Sequence, residues 1–125
     1  MLATGRVSAT VAVSDLDNAK EFYGTTLGLE QTDENPGGVE YTSGGGRLFV
    51  YPSPTAGSGE ATCAFFAVDD VAGTVDELKG KGVSFEQYDL PGSTREGDVH
   101  VMGPMQAAWF KDPDGNILGI GNDSA

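Results

Sequence analysis

One imidazole, one thiol and one indole are the whole stock of specialised side chains in this 125-residue sequence: His100, Cys63 and Trp109. A thiol becomes a nucleophile when a nearby base or cation draws off its proton, and no histidine lies near Cys63 in sequence. A catalytic metal centre ordinarily takes three protein ligands of the His, Cys or carboxylate kind, which one histidine and one cysteine do not supply. Carboxylates are plentiful, and Glu40 with His100 would make an acid–base couple if the fold joined them. Asp112 and Asp114 stand in Asp-Pro-Asp-Gly, where proline presets one dihedral and aspartate bonds its own backbone, so they read as turn residues. Gly44-Gly45-Gly46 lacks the Lys-Ser/Thr and the helix that follow a phosphate loop, and reads as hairpin geometry. His100 falls in a polar stretch, 90–103, expected to be a loop able to act as a lid. Trp109 offers a flat aromatic wall for stacking and an N–H for bonding.

The elements that must position these groups are written twice. TVAVSDLDNAKEFYGTTLGLEQ at 10–31 and FFAVDDVAGTVDELKGKGVSFEQ at 65–87 share one plan, with Val13 and Val68 set 55 residues apart. Each has an apolar strand run, an acidic helix start, an amphipathic helix, a glycine and a second strand run. In the first copy, 7–13 reads as a strand, Ser14 as the N-cap, and Leu16, Ala19, Phe22, Tyr23 and Leu27 as the apolar stripe of a helix ended by Gly28. Residues 39–43 and 47–51 flank the three glycines as a hairpin, and PSPTAGSG at 52–59 is a linker. In the second copy, 61–68 is the strand, Asp69 or Asp70 the cap, 83–88 a further strand, and 107–111 with 116–120 a hairpin across the Asp-Pro-Asp-Gly turn.

Each copy therefore reads β-α-β-β-β, an α+β plan. The chain is expected to be a single domain of two repeats, about 5–52 and 60–121, whose strands pack into one curved, cup-like mixed sheet system with any cleft between the copies. Strand alternation puts Cys63 and Phe65 on one face, and Phe49 and Tyr51 on one face. A final turn without a bulge sets Trp109 level with Gly119.

A formal charge of −12, from 19 acidic and 7 basic residues, leaves no basic footprint for nucleic acid and favours a cationic ligand by long-range attraction. One cysteine excludes an internal disulfide and fits a reducing cytoplasm. With no basic-then-apolar leader and no run long enough for a bilayer, no membrane partner is expected.

The ordered set AVSDLDNAKEFYGTTLGL at 12–29, AVDDVAGTVDELKGKGV at 67–83 and AAWFKDPDGNILGI at 107–120 resembles the vicinal oxygen chelate superfamily of glyoxalase I, bleomycin and fosfomycin resistance proteins and extradiol dioxygenases. The resemblance spans essentially the whole chain. It implies a cup between two sheets, which in metal-dependent members holds a divalent ion on His, Gln or Glu from the first and last strands of each copy. Carried onto this sequence, those positions are Ser8 and Cys63 on the first strands, and Gly119 and Val50 (or Tyr51, one residue along) on the last. Glycine and valine offer no donor and serine is a poor ligand, so neither metal nor cofactor is expected. The resemblance then implies a metal-free binding protein, similar to bleomycin resistance proteins, that sequesters a cationic or aromatic small molecule such as an antibiotic, as a homodimer. The candidate cup residues are Trp109, Phe65, Cys63, Tyr51, Phe49, His100 and Ser8. The alternative is a glyoxalase- or dioxygenase-type enzyme with a non-standard active site.

Overall fold

The β-branched run of the first repeat forms β1 (Ala9–Val13), two residues shorter than its composition predicts, because pairing with β4 (Gly46–Pro52) begins at Ala9 and leaves Val7 and Ser8 exposed. This is a computed structural model, and it describes residues 1–122. The helix α1 (Leu16–Lys20) that follows is capped by Asp15, whose carboxylate accepts from the Asn18 N–H at 3.1 Å. The expected cap, Ser14, is drawn away: its hydroxyl and N–H both donate to the Asp114 carboxylate. In the second repeat Asp70 caps α2 (Val71–Gly80) through the Gly73 N–H at 2.9 Å. Asp15 and Asp70 keep the 55-residue offset, so the repeat itself marks the correct cap. Helix α1 passes into a π-type turn, Glu21–Thr26, that buries Tyr23 completely.

One sheet has the order β1-β4-β3-β2, with β2 spanning Glu30–Asn35 and β3 Gly38–Ser43. The other runs β5-β10-β9-β8-β7, from β5 (Thr62–Ala67), β7 (Thr94–Glu96), β8 (Val99–Met102), β9 (Met105–Lys111) and β10 (Ile117–Gly121). In each repeat the first strand pairs in parallel with the last and the rest pair antiparallel. The two sheets adjoin along β1 and β5.

The polar stretch 90–103 is not the loop its composition predicts. It contains the β7–β8 hairpin, turned at Gly97-Asp98, and Val99 and Val101 of β8 pack on the core. The second repeat gains strands because β6 (Phe85–Glu86) is only two residues long: it pairs with Trp109 and Phe110, and β8 takes the remainder of the same β9 edge.

Val11, Val13, Val39, Tyr41, Leu48 and Val50 from one sheet and Ala108, Phe110, Leu118 and Ile120 from the other join Ala19, Tyr23, Val71 and Val75 of the helical segments in one buried cluster. Strand alternation sends the intervening side chains to the opposite faces. Those faces carry Thr10, Glu40, Phe49 and Tyr51 in one sheet, and Phe65, Trp109, Gly119 and His100 in the other.

The Asp-Pro-Asp-Gly-Asn turn fastens the second repeat to the first. The Asp112 carboxylate, 5% exposed, accepts from the Tyr23 hydroxyl at 2.6 Å, the Asp114 and Asn116 N–H groups, and the Asn116 side-chain amide at 2.8 Å. That same amide donates to the Ala12 carbonyl. At the corresponding tip of the first repeat, Ser43–Gly46, the glycines have no side chains to reach across, and an apolar cleft of about 190 Å³ opens there between Ser43, Leu29, Phe66, Val68 and Leu78.

Candidate functional site

Gly119 sets the shape of the helix-free face. It pairs with Trp109 across the hairpin and with Phe65 of the parallel strand. A methyl group there would lie 2.8 Å from Phe65 Cδ2 and 3.0 Å from Trp109 Nε1, and one on Gly121 would lie 2.6 Å from Phe65 Cζ. The Phe65 ring therefore lies over the bare stripe of Gly119 and Gly121, and Trp109 over Gly119, at distances where an added β-carbon would push the rings aside.

Trp109 anchors a second aromatic group. Its ring meets His100 edge-on with centroids 5.0 Å apart and Tyr88 at 5.6 Å, and His100 lies 6.0 Å from Tyr88. Trp109 itself is half-buried and outside the buried core cluster. His100, expected in a loop able to act as a lid, is wholly buried on β8. Its Nε2 accepts the Tyr88 backbone N–H at 2.9 Å, closing the notch where β6 ends before β8 begins. Burial pushes the Tyr88 phenol above its ordinary value.

The first sheet contributes Phe49 and Tyr51, stacked at 6.3 Å with planes 13° apart. Beside them Glu40 accepts from Arg47 at 2.8 Å and Thr32 at 3.1 Å. Glu40 is thus held in an ion pair on the first sheet, while His100 sits on the second, and no bond joins the two. A hollow of about 310 Å³ at the seam is lined from both sheets, by Arg47 and the three glycines on one side and Phe65 and Ala67 on the other.

Ser8 lies before β1, outside the sheet pairing and exposed. Cys63 does not follow the alternation that would have set it beside Phe65. Thr62 pairs with Ile117 and Ala64 with Leu118, so Cys63 is the extra residue of a bulge, and its thiol donates to the Ile117 carbonyl at 3.3 Å. Partial burial, then the nearby Asp112 charge, push the thiol above its ordinary value, away from the thiolate a nucleophile needs. Tyr88 was not among the candidates drawn from sequence. Its only signal was position, two residues beyond Glu86 at strand spacing.

The profile of the Glyoxalase/Bleomycin resistance protein/Dioxygenase superfamily matches residues 5–120. The chain belongs to this superfamily. Among solved structures it is similar to TnmS3, an antibiotic binding protein from Streptomyces sp. CB03234, at 26% identity over 99% of each chain with a TM-score of 0.73. It is similar to a glyoxalase/bleomycin resistance protein from the same organism at 27% identity, over 89% of this chain and 94% of that one, with a TM-score of 0.64. The fosfomycin resistance protein FosX from Listeria monocytogenes shares the fold at 14% identity, over 97% and 94% of the chains, with a TM-score of 0.72. No curated protein matches the sequence.

The divalent ion of the superfamily's metal-dependent members does not fit the residues present. Val50, the expected counterpart of Gly119, is 1% exposed and faces the core. The pairings identify the counterpart as Phe49 instead, because Phe49 sits beside Thr10 as Gly119 sits beside Phe65, and Thr10 and Phe65 keep the 55-residue offset. Phenylalanine and glycine donate nothing, and Trp109 and Phe65 fill the space over Gly119. Among the described residues no three His, Cys, Asp or Glu side chains form a metal-holding group. Nor, among them, is any helix long and apolar enough to cross a membrane.

Proposed function

We propose that this superfamily member is a metal-free small-molecule binding protein that sequesters an aromatic compound of the antibiotic type against Trp109, Phe65 and Tyr88. The observation that carries this reading is the aromatic wall itself: a half-exposed indole whose Nε1 and Cδ1 lie over Gly119, where the superfamily's metal chemistry has no donors. The likeness to an antibiotic binding protein along the full length of both chains supports it. The charge of −12 favours cationic compounds during approach, a long-range effect that salt screens. A free thiol and no disulfide fit a reducing compartment. An enzyme of glyoxalase or dioxygenase type would need donors where Phe49 and Gly119 stand.

Because Trp109 is the only tryptophan, its fluorescence reads the site directly. In a titration with polycyclic aromatic antibiotics, a ligand that binds should quench it. Trp109→Ala should weaken calorimetric affinity for that ligand by about 1–3 kcal/mol, the order of a buried aromatic anchor. Equal affinity in the two proteins would refute the wall as the binding surface.

The same reading includes a homodimer. All six residues of β2 and all three of β7 are exposed, and both strands lie at sheet edges that a second copy would cover. Light scattering at tens of micromolar should give twice the chain mass of 12.9 kDa, and a monomer mass would remove the dimer from the proposal.

A further inference from the structure

The one buried side-chain polar atom of the aromatic group left without a partner, His100 Nδ1, is a hydrogen-bond donor. The backbone N–H of Tyr88 donates to His100 Nε2, so Nε2 keeps its lone pair and the neutral ring carries its proton on Nδ1. That Nδ1 is fully buried and has no partner, alone in this respect among the buried side-chain polar atoms of the described residues. An unpaired buried donor is costly, and buried polar groups are nearly always satisfied. The indole N–H of Trp109, lying over Gly119, has no hydrogen-bond partner among the described residues either. Arg95, the β7 partner of His100, shares with Tyr88 a hollow of about 260 Å³ rimmed by residues 88–95. His100 alternates with the core-facing Val99 and Val101, so its ring rises from the helix-free face, beneath the Trp109 and Tyr88 rings.

We propose that His100 is the specificity-determining donor of this site, and that the ligand it selects is a planar aromatic compound carrying an acceptor oxygen on or beside its ring. The inference rests on the binding function proposed above and names its ligand class. The incoming oxygen supplies the acceptor that Nδ1 lacks within the chain. The negative charge of the whole chain acts on approach over a Debye length, while these donors act only on the seated ligand. The competing fate of the Nδ1–H is a weak contact with the indole face, which would give no preference for oxygen.

A matched pair of probes separates these: 2-acetylnaphthalene, with a ketone oxygen, and 2-ethylnaphthalene, of nearly the same shape without it. Each is titrated by Trp109 quenching into the full chain and two variants. His100→Gln places an amide oxygen near the Nε2 position, keeping an acceptor for Tyr88, and removes the donor at Nδ1. His100→Asn places an amide near Nδ1 and abandons Tyr88. The unaltered protein is expected to favour the ketone by about tenfold or more. His100→Gln should bind both probes alike at nearly unchanged melting temperature, and His100→Asn should keep the preference while melting lower. Equal affinity for the two probes in the unaltered protein, or a preference surviving in His100→Gln, overturns the role of His100 and leaves aromatic binding standing. Failure of both probes to bind overturns the binding function, and this inference with it.

Discussion

Asp112→Ala is expected to lower folding stability by about 3–5 kcal/mol, the range reached when a buried acceptor of several bonds is removed and its donors are left behind. Tyr23, Asp114 and Asn116 all donate to this one carboxylate, and the Tyr23 hydroxyl, on a fully buried side chain, gains no water in exchange. Against a total of about 5–15 kcal/mol for a small domain, that is a large fraction. Thermal unfolding should show a fall of more than about 10 °C, and a fall under about 5 °C would contradict the account. Asp112→Asn keeps the shape but turns an NH2 toward donors, so it should lose stability too, which separates bonding from packing. The partner gives a pH signature. Burial, then the Asp112 charge and bond, raise the Tyr23 phenol well above its ordinary 10.0. A group raised in the folded state contributes its stability below the unfolded value and loses it as pH climbs, because the unfolded chain ionises first. The melting temperature should therefore drop above about pH 10, and less steeply in Tyr23→Phe.

Gly57→Ala should cost about 2–4 kcal/mol although it lies in the linker between the repeats. Gly57 has φ of +72°, where a β-carbon is strained, and that carbon would overlap the Asp114 carbonyl. Its N–H also donates to the Asn116 side chain at 3.3 Å. The linker is thus seated on the same turn that Asp112 holds together, and the alanine would push the turn off β1. Gly59→Ala, with no atom within 4 Å of the added carbon, should be nearly neutral. Urea unfolding checks this: the midpoint should fall for Gly57→Ala alone, and equal midpoints for the two variants would contradict it. Because Gly57 and Asp112 act on one turn, the double variant should lose less than the sum of the singles.

Much of the fold was legible in consecutive residues. The 55-residue repeat, the acidic helix starts, the glycine hairpin and the Asp-Pro-Asp-Gly turn are local signals, and each forms the element it predicts. The β7–β8 hairpin was missed because Gly97-Asp98 and the alternating Val99 and Val101 lie in a stretch whose average composition is polar. Ser14 was mistaken for a cap because local rules rank it with aspartate, while its true partner, Asp114, lies a hundred residues away.

Sequence alone determined the superfamily's plan, the level pairing of Trp109 with Gly119, and the shortage of metal donors, since each follows from residue identity or from the length of one turn. Tertiary structure decided the rest. It made Phe49, not Val50, the counterpart of Gly119, because the register of parallel strands is set by a crossover rather than by a turn. It took Cys63 out of line by a single-residue bulge. It buried His100 under Trp109 and Tyr88, with one nitrogen bonded and the other left unpartnered. A side chain's neighbours across a sheet come from distant parts of the chain, and only the folded packing says which of its polar atoms are satisfied and which still want a partner.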